Sequence, residues 1–378
     1  MYIVLTIIEF SLYIAFSLLI GFLLLTLISE KHRPEIPWKR NLLLTCAAVI
    51  PVFAFFPVWQ TVRVIAERNL EGNALLRVLT STEIGQLWII LTLLSVILLF
   101  LILGTRKLPA SSLAGIALFV IGCMIFAYTK TSHAASLAEW QGHIIHMIHF
   151  LAVTVWVGIL LVVSWFAKST ANWSAFLKWF TPVAIVCLVA VVGAGIGSMS
   201  ITIDSPEAPN SNIIQDYQNS LAIDYGQALL FKNLLTIGIV LFAVINGIMF
   251  RKRNEDPTFN PLKWTKAESV YLLFVFALSG FISHGQLPHS LDQLIRSGET
   301  SSLYTSFSST NLMEIVQAGA TPALSFSFGW MSLAFFGIGA LFLIVMLGAA
   351  TRRSSVVVSS LSGILMVISL YFGVMNGI

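Results

Sequence analysis

The chain has 378 residues, of which 57% are hydrophobic and only 10% charged, against roughly 25% charged residues in soluble domains. With a mean hydropathy of +0.89, a water-soluble globule of this length would be left with too much apolar surface. The formal charge of +4 does not revive a nucleic-acid-binding reading, because the basic residues fall in short loops between apolar segments. Soluble, nucleic-acid-binding and disordered readings are set aside, and the chain reads as a polytopic membrane protein. Its N-terminus, MYIVLTIIEF, lacks a basic leader region and an A-x-A cleavage site, so it is taken as a retained first span. Cys46, Cys123 and Cys187 lie in apolar stretches without CxxC spacing, which argues against a disulfide framework and a thiolate zinc site.

A membrane helix needs about 20 mainly apolar residues. Stretches of that kind run at 2–29, 41–65, 84–104, 109–129, 143–167, 177–202, 226–250, 267–284, 327–350 and 355–376. The second holds Pro51 and Pro57 and is expected to kink, a distortion that neighbouring helices accommodate. The basic residues alternate between the loops. The loops after spans one, three, five, seven and nine carry Lys31, Arg33, Lys39 and Arg40; Arg106 and Lys107; Lys168 and Lys178; Arg251, Lys252, Arg253, Lys263 and Lys266; and Arg352 and Arg353. The other set holds Arg63, Arg68, Arg77, Lys130 and Arg296, and Lys232 is left within a span. The positive-inside rule puts the first set in the cytoplasm and both termini outside. Two long loops then face outward: 203–225, with Asp204, Glu207, Asp216 and Asp224, and 285–326, rich in Ser and Thr with Glu299 and Glu314. Their plain role is solvated connection; their sharper one is a mouth that collects cations.

Of the seven histidines, His32 sits among charges in the first cytoplasmic loop and reads as a solvated residue. The other six fall on the outer side: His133 after span four, His143, His146 and His149 opening span five, His284 closing span eight, and His289 after it. In HIIHMIHF the spacing is i, i+3, i+6. Each step turns the side chain by about −60° and climbs about 4.5 Å, so adjacent members are surface neighbours. Two imidazoles one turn apart can hold one metal ion, with His133 and His284 as further ligands. Imidazole suits copper, zinc, nickel and haem iron, while thioether selects copper(I). Met147 lies near the His143 stripe, and Met124 and Met199 also map to the outer half, which favours copper. The competing roles are polar anchoring for the histidines and packing for the methionines. Glu9, in the outer third of span one, and Lys232, about two turns into span seven, are costly in a bilayer unless used or paired. Glu9 fits an ion pathway; Lys232 fits that role or snorkels to the surface. GAGIG at 193–197 offers a face where backbones approach closely. There is no P-loop, GxGxxG, HExxH or GxSxG, so ATP-driven pumping and an enzymatic role by this chain are not expected.

SHAA at 132–135, HFLAVTVWVGILL from His149 through Trp156 and Gly158, LTSTEIGQLW at 79–88, YGQALLFK at 225–232, and Glu268 at the start of the next span together resemble the CopD family of copper resistance and copper uptake membrane proteins. The resemblance covers roughly residues 1–285. It implies copper handling from the outer face, with His133 and His149 the best-matched positions, often beside a CopC copper-binding domain. No CopC-like domain is fused here, so a separate extracytoplasmic CopC-like donor is implied, or the 285–326 loop replaces it. The expected molecule is an all-α bundle of about ten transmembrane helices in a bacterial cytoplasmic membrane. It divides into a CopD-like core at 1–285, an extracytoplasmic loop at 286–326 and an added C-terminal helical hairpin at 327–378. The expected function is copper transport, in the direction of uptake, with His133, His143, His146, His149, His284 and Met147 as metal ligands and the copper oxidation state open. The alternative is a b-type haem membrane protein, in which histidines on two helices would be axial ligands; zinc or nickel transport and a purely structural role stand behind these.

Overall fold

A computed structural model of the chain describes residues 2–67, 73–105, 111–203, 212–253, 260–288, 291–308, 310–320, 322–353 and 355–378. The described residues are helical and contain no strand, and ten helical segments are long and apolar enough to cross a membrane. The chain is an all-α, polytopic helix bundle. It forms two compact units, one of residues 8–198 and one of residues 1–7 with 199–378.

The first unit contains most of α1 (Tyr2–Leu27), then α2 (Arg40–Phe53), α3 (Phe56–Glu67), α4 (Ala74–Ser81), α5 (Glu83–Leu103), α6 (Ser111–Thr129), α7 (His133–Phe166) and most of α8 (Trp173–Ile203). On α1, Leu12, Phe16, Leu19 and Leu23 are buried, and their spacing of four, three and four residues gathers them on one face. A different face of α1, the one carrying Ser17 and Gly21, meets α7 so closely that backbone touches backbone. A Cβ added to Gly21 would lie 2.2 Å from the Gly158 carbonyl oxygen, and one added to Gly158 would lie 2.2 Å from that of Ser17. Without a hydrophobic drive between helices in lipid, close approach at small residues is what holds such a pair.

The second apolar stretch breaks where its prolines require it. α2 ends at Phe53, and α3 begins at Phe56 with Pro57 in its first turn. Pro51 has no N–H to give to the Ala47 carbonyl; the Ser95 hydroxyl of α5 donates to that oxygen instead, at 2.5 Å. The Trp88 indole N–H, also on α5, donates to the Pro51 carbonyl at 2.8 Å. A neighbouring helix thus satisfies the backbone groups that the break leaves open. The start of α5 is capped by Thr82, whose hydroxyl accepts the Gly85 N–H at 3.2 Å. Gly85 itself lies against α4, where a Cβ would fall 2.2 Å from the Val78 carbonyl oxygen. The Thr-x-x-Gly pattern therefore has a capping and packing role.

The second unit contains α9 (Ile213–Ser220), α10 (Asp224–Arg253), α11 (Pro261–Ile282), α12 (Leu291–Arg296), α13 (Ser302–Phe307), α14 (Leu312–Gln317), α15 (Trp330–Gly348) and α16 (Val356–Met375). Its core joins Leu221, Leu230 and Leu234 to Met366, Val367 and Tyr371. The final helix is tied to α10 by a buried polar network. Tyr371 donates to Gln227 Oε1 at 2.6 Å, and Gln227 Nε2 donates to the Leu221 carbonyl at 2.5 Å. The Tyr371 ring also stacks on Phe231, with centroids 4.0 Å apart. Tyr271 of α11 donates to the Ser360 carbonyl at 2.5 Å.

Segment 286–326 is a folded cap within this unit. Leu291, Ile295, Tyr304, Leu312 and Val316 are buried. Arg296 donates to the Val316 carbonyl, Ser301 N–H to that of Ala222, and Leu324 N–H to Asn219 Oδ1. Asp216 is buried, whereas Asp224, Glu299 and Glu314 are exposed; Asp204 and Glu207 lie outside the described residues.

Candidate metal site on the seventh helix

Helix α7 opens with Ser132, whose hydroxyl accepts the Ala135 N–H at 3.3 Å, and His133 follows, exposed. After five residues the helix is interrupted. Ala138 (φ −126°, ψ 27°) and Glu139 (φ 44°, ψ −122°) are non-helical, and the chain folds back so tightly that a Cβ on Gly142 would fall 1.8 Å from the Ala134 carbonyl oxygen. This turn separates His133 from the histidine triplet. Lys130 lies over the Trp140 ring, 4.7 Å from its centroid, and pairs with Glu83 at 3.7 Å, which ties the turn to the start of α5.

The triplet fans over different neighbours. His143 is fully buried, and its Nε2–H donates to the Phe126 carbonyl of α6 at 3.1 Å. Its ring meets Phe126 edge-on at 4.6 Å and Trp140 at 5.6 Å, while Nδ1 is buried with no hydrogen-bond partner among the described residues. His146 is half-buried, with its ring 6.5 Å from that of Phe150. His149 is half-buried and donates Nδ1–H to the Val191 carbonyl of α8 at 3.0 Å. Gly195, within GAGIG, makes room for that imidazole: an added Cβ would lie 3.5 Å from His149 Cε1. Gly197 does the same for Ile145 at 3.3 Å. Six residues along an α-helix turn the side chain by about 120° net, so His143 reaches α6 while His149 reaches α8.

Among the described residues, no three His, Cys, Asp or Glu side chains converge as a metal-holding group. What α7 offers is one imidazole edge per turn. A carbonyl accepts a proton from only one nitrogen of each ring, so His143 keeps Nδ1 and His149 keeps Nε2 as lone-pair donors. Met147 is half-buried beside them, and Met124 is a fully buried core residue of α6. His284 belongs to the other unit, half-buried after the end of α11, with Gly285 beside it against the Tyr225 ring. Met199 packs against that unit's core. His289 lies outside the described residues. His32 is exposed, its carbonyl accepting the Trp179 indole N–H at 2.8 Å.

Of the two charges assigned to a pathway, Glu9 is buried and accepts a hydrogen bond from the Tyr128 hydroxyl of α6. Lys232 is half-buried on α10, and no carboxylate among the described residues forms an ion pair with it. Tyr128 escaped the sequence reading. Its signal was the isolated Glu9, which needs a partner in a bilayer, but choosing that partner requires knowing that α6 is its neighbour.

Residues 1–143 match the family model of the copper resistance protein D-like N-terminal domain. Over this stretch the chain is CopD-like. The match takes in Glu9, Thr82, Gly85, Tyr128, His133 and His143, and ends at the first histidine of the triplet. Comparison with curated proteins and with solved structures found no match. In the CopD-like part, Thr82 and Gly85 are accounted for by capping and packing. In YGQALLFK, Gly226 is accounted for likewise, since a Cβ there would lie 2.1 Å from the Ser220 carbonyl oxygen, and Tyr225 donates to the Thr202 hydroxyl at 3.2 Å. His143 and His149 each hold a backbone carbonyl of a neighbouring helix. The haem alternative gains no support: the surroundings of His143 are filled by Phe126 and Trp140, and His149 closes onto α8.

Proposed function

We propose that this chain carries copper across the bacterial cytoplasmic membrane, in the direction of uptake, from histidines at its extracytoplasmic face. The observation that carries the reading is the CopD-like match over residues 1–143, because a copper-linked family name coincides with a helix that presents an imidazole at every turn. His146 and His149 are proposed as direct ligands, with His143, His133 and Met147 completing or feeding them. His284 is proposed as a separate copper contact in its own unit. Imidazole nitrogen and thioether sulfur suit copper well in either common oxidation state. Divergent, singly presented donors suit a cargo that must leave again better than a closed cage would.

The orientation follows from the alternation of Lys and Arg between loops, which favours both termini outside. The same alternation puts α7's first turns on the outer side. Inward movement of one positive charge is then favoured by about 2.3 kcal/mol per 100 mV of membrane potential, so no nucleotide is required. Glu9 supports the reading as a charge that compensates a passing cation, and Lys232 as a charge that repels one. A separate CopC-like protein is the proposed donor.

The test is copper accumulation in cells producing the chain. Wild type is expected to raise cell-associated copper, and the His146→Ala/His149→Ala double variant to abolish the rise. A fall in cell copper on wild-type expression would reverse the direction, and no change on expression would overturn the transport reading.

A further inference from the structure

His143 is fully buried, yet its Nδ1 has no hydrogen-bond partner among the described residues. A buried lone pair left in this way is costly, and two rings close over the imidazole that carries it. Phe126 of α6 meets it edge-on at 4.6 Å, and Trp140, a turn earlier on α7, lies 5.6 Å away. The two rings are held very differently. Phe126 belongs to an unbroken helix, and its own carbonyl accepts the His143 Nε2–H. Trp140 is 57% exposed and directly follows the break at Ala138 and Glu139.

The backbone at that break is strained. Glu139 has a φ of 44°, a region that residues other than glycine keep only where their surroundings enforce it. One constraint is the tight turn, in which a Cβ on Gly142 would fall 1.8 Å from the Ala134 carbonyl oxygen. The other is Lys130, whose Nζ lies 4.7 Å from the centroid of the Trp140 ring and 3.7 Å from Glu83 Oε1. One ammonium group thus links the start of α5 to the ring that covers His143. Both of its contacts are electrostatic and near the surface, with the Glu83 side chain 69% exposed. Ion pairs and cation–π contacts in such places are weak, so they hold a cover shut without locking it.

We propose that Trp140 is a lid over His143, hinged at Ala138 and Glu139 and latched by Lys130, and that its opening admits a metal cation to Nδ1. The inference deepens the copper reading and rests on it for the identity of the cargo. A cation drawn to the exposed Glu83 carboxylate competes with Lys130 for it. When Lys130 moves away, the Trp140 ring loses its partner and Glu139 relaxes toward ordinary backbone geometry. The ring then swings off the imidazole, and it returns once the ion has moved on. No covalent bond is made or broken, and no electron or proton is transferred.

The test reads access to position 143 without copper. The full chain lacking Cys46, Cys123 and Cys187 carries His143→Cys, and its membranes are treated with methyl methanethiosulfonate while labelling is followed by mass spectrometry. With Lys130 and Trp140 in place, labelling is expected to be slow. Lys130→Met should speed it about fivefold, the factor that loss of one exposed cation–π contact gives, and Trp140→Ala should speed it further. Lys130→Arg, which keeps the cation, should leave it slow. The exposed position 133, tested as His133→Cys, should label rapidly and equally in every background. Equal rates at position 143 with and without Lys130 and Trp140 would overturn the proposal. So would a parallel rise at position 133, which would mean general loosening and not the opening of a lid. Failure of the copper accumulation experiment would remove the cargo, while these rates alone decide the lid.

Discussion

His143 shows most directly how a polar side chain is kept inside an apolar helix bundle. Its Nε2–H is used on the Phe126 carbonyl, a bond that also fixes the tautomer and leaves Nδ1 as the lone-pair donor. His143→Phe should therefore retain the fold, since rings already surround the site, while weakening copper binding by about tenfold or more if Nδ1 takes part. Equal copper titrations of the two proteins would remove His143 from the ligand set. Glu139 allows a second test at this scale. Its φ of 44° lies where side chains other than glycine are strained by about 1–3 kcal/mol. Glu139→Gly is expected to raise the thermal midpoint of the detergent-solubilised protein, and a fall would show that the Glu139 side chain contributes more than its backbone costs. Neither feature could be read from the sequence. The i, i+3, i+6 spacing showed an imidazole at each turn, but which neighbour each ring meets depends on the packing of α6 and α8 around α7.

The helices themselves were largely legible, because a run of about 20 apolar residues has few alternatives to a membrane span. The prolines at 51 and 57 marked the break between α2 and α3, though not the two groups that repair it. Ser95→Ala should leave the Ala47 carbonyl unsatisfied and cost about 1 kcal/mol, measured as a drop in unfolding midpoint in detergent; no drop would show that the bond contributes nothing net. Gly158 belonged to an apolar run without any mark of its importance. Its contact with α1 is visible only when both backbones are in view. Gly158→Leu is expected to destabilise the first unit by about 3 kcal/mol, and wild-type stability in that variant would mean that α1 and α7 do not touch there. The start of α7 shows the opposite limit: hydropathy begins its span at 143, whereas the helix begins at His133 and turns sharply before the apolar part, because Ser132 supplies a cap that hydropathy does not register.

Across the whole molecule, alternation of basic loops predicts a sidedness that can be checked independently of copper. Single cysteines at positions 31 and 133, in a background lacking Cys46, Cys123 and Cys187, should label oppositely in intact cells: 133 with a membrane-impermeant reagent, 31 only after permeabilisation. The reverse pattern would invert the topology and with it the assignment of the α7 histidines to the outer face. The loop regions were the least legible. Ser/Thr-rich sequence at 286–326 reads as solvated connection, yet Leu291, Ile295, Tyr304 and Val316 form a buried core for three short helices. Short amphipathic helices of six residues carry too little periodicity to stand out from a polar loop. The burial of Asp216 within that unit likewise weakens the picture of an open acidic mouth.

The central claim is that the histidines of α7 hold copper. The most direct measurement is equilibrium copper binding to the purified, detergent-solubilised chain, comparing wild type with the His146→Ala/His149→Ala double variant and with His32→Ala. The account predicts copper binding by wild type and by His32→Ala, and its loss in the double variant. Equal binding by all three proteins would contradict it.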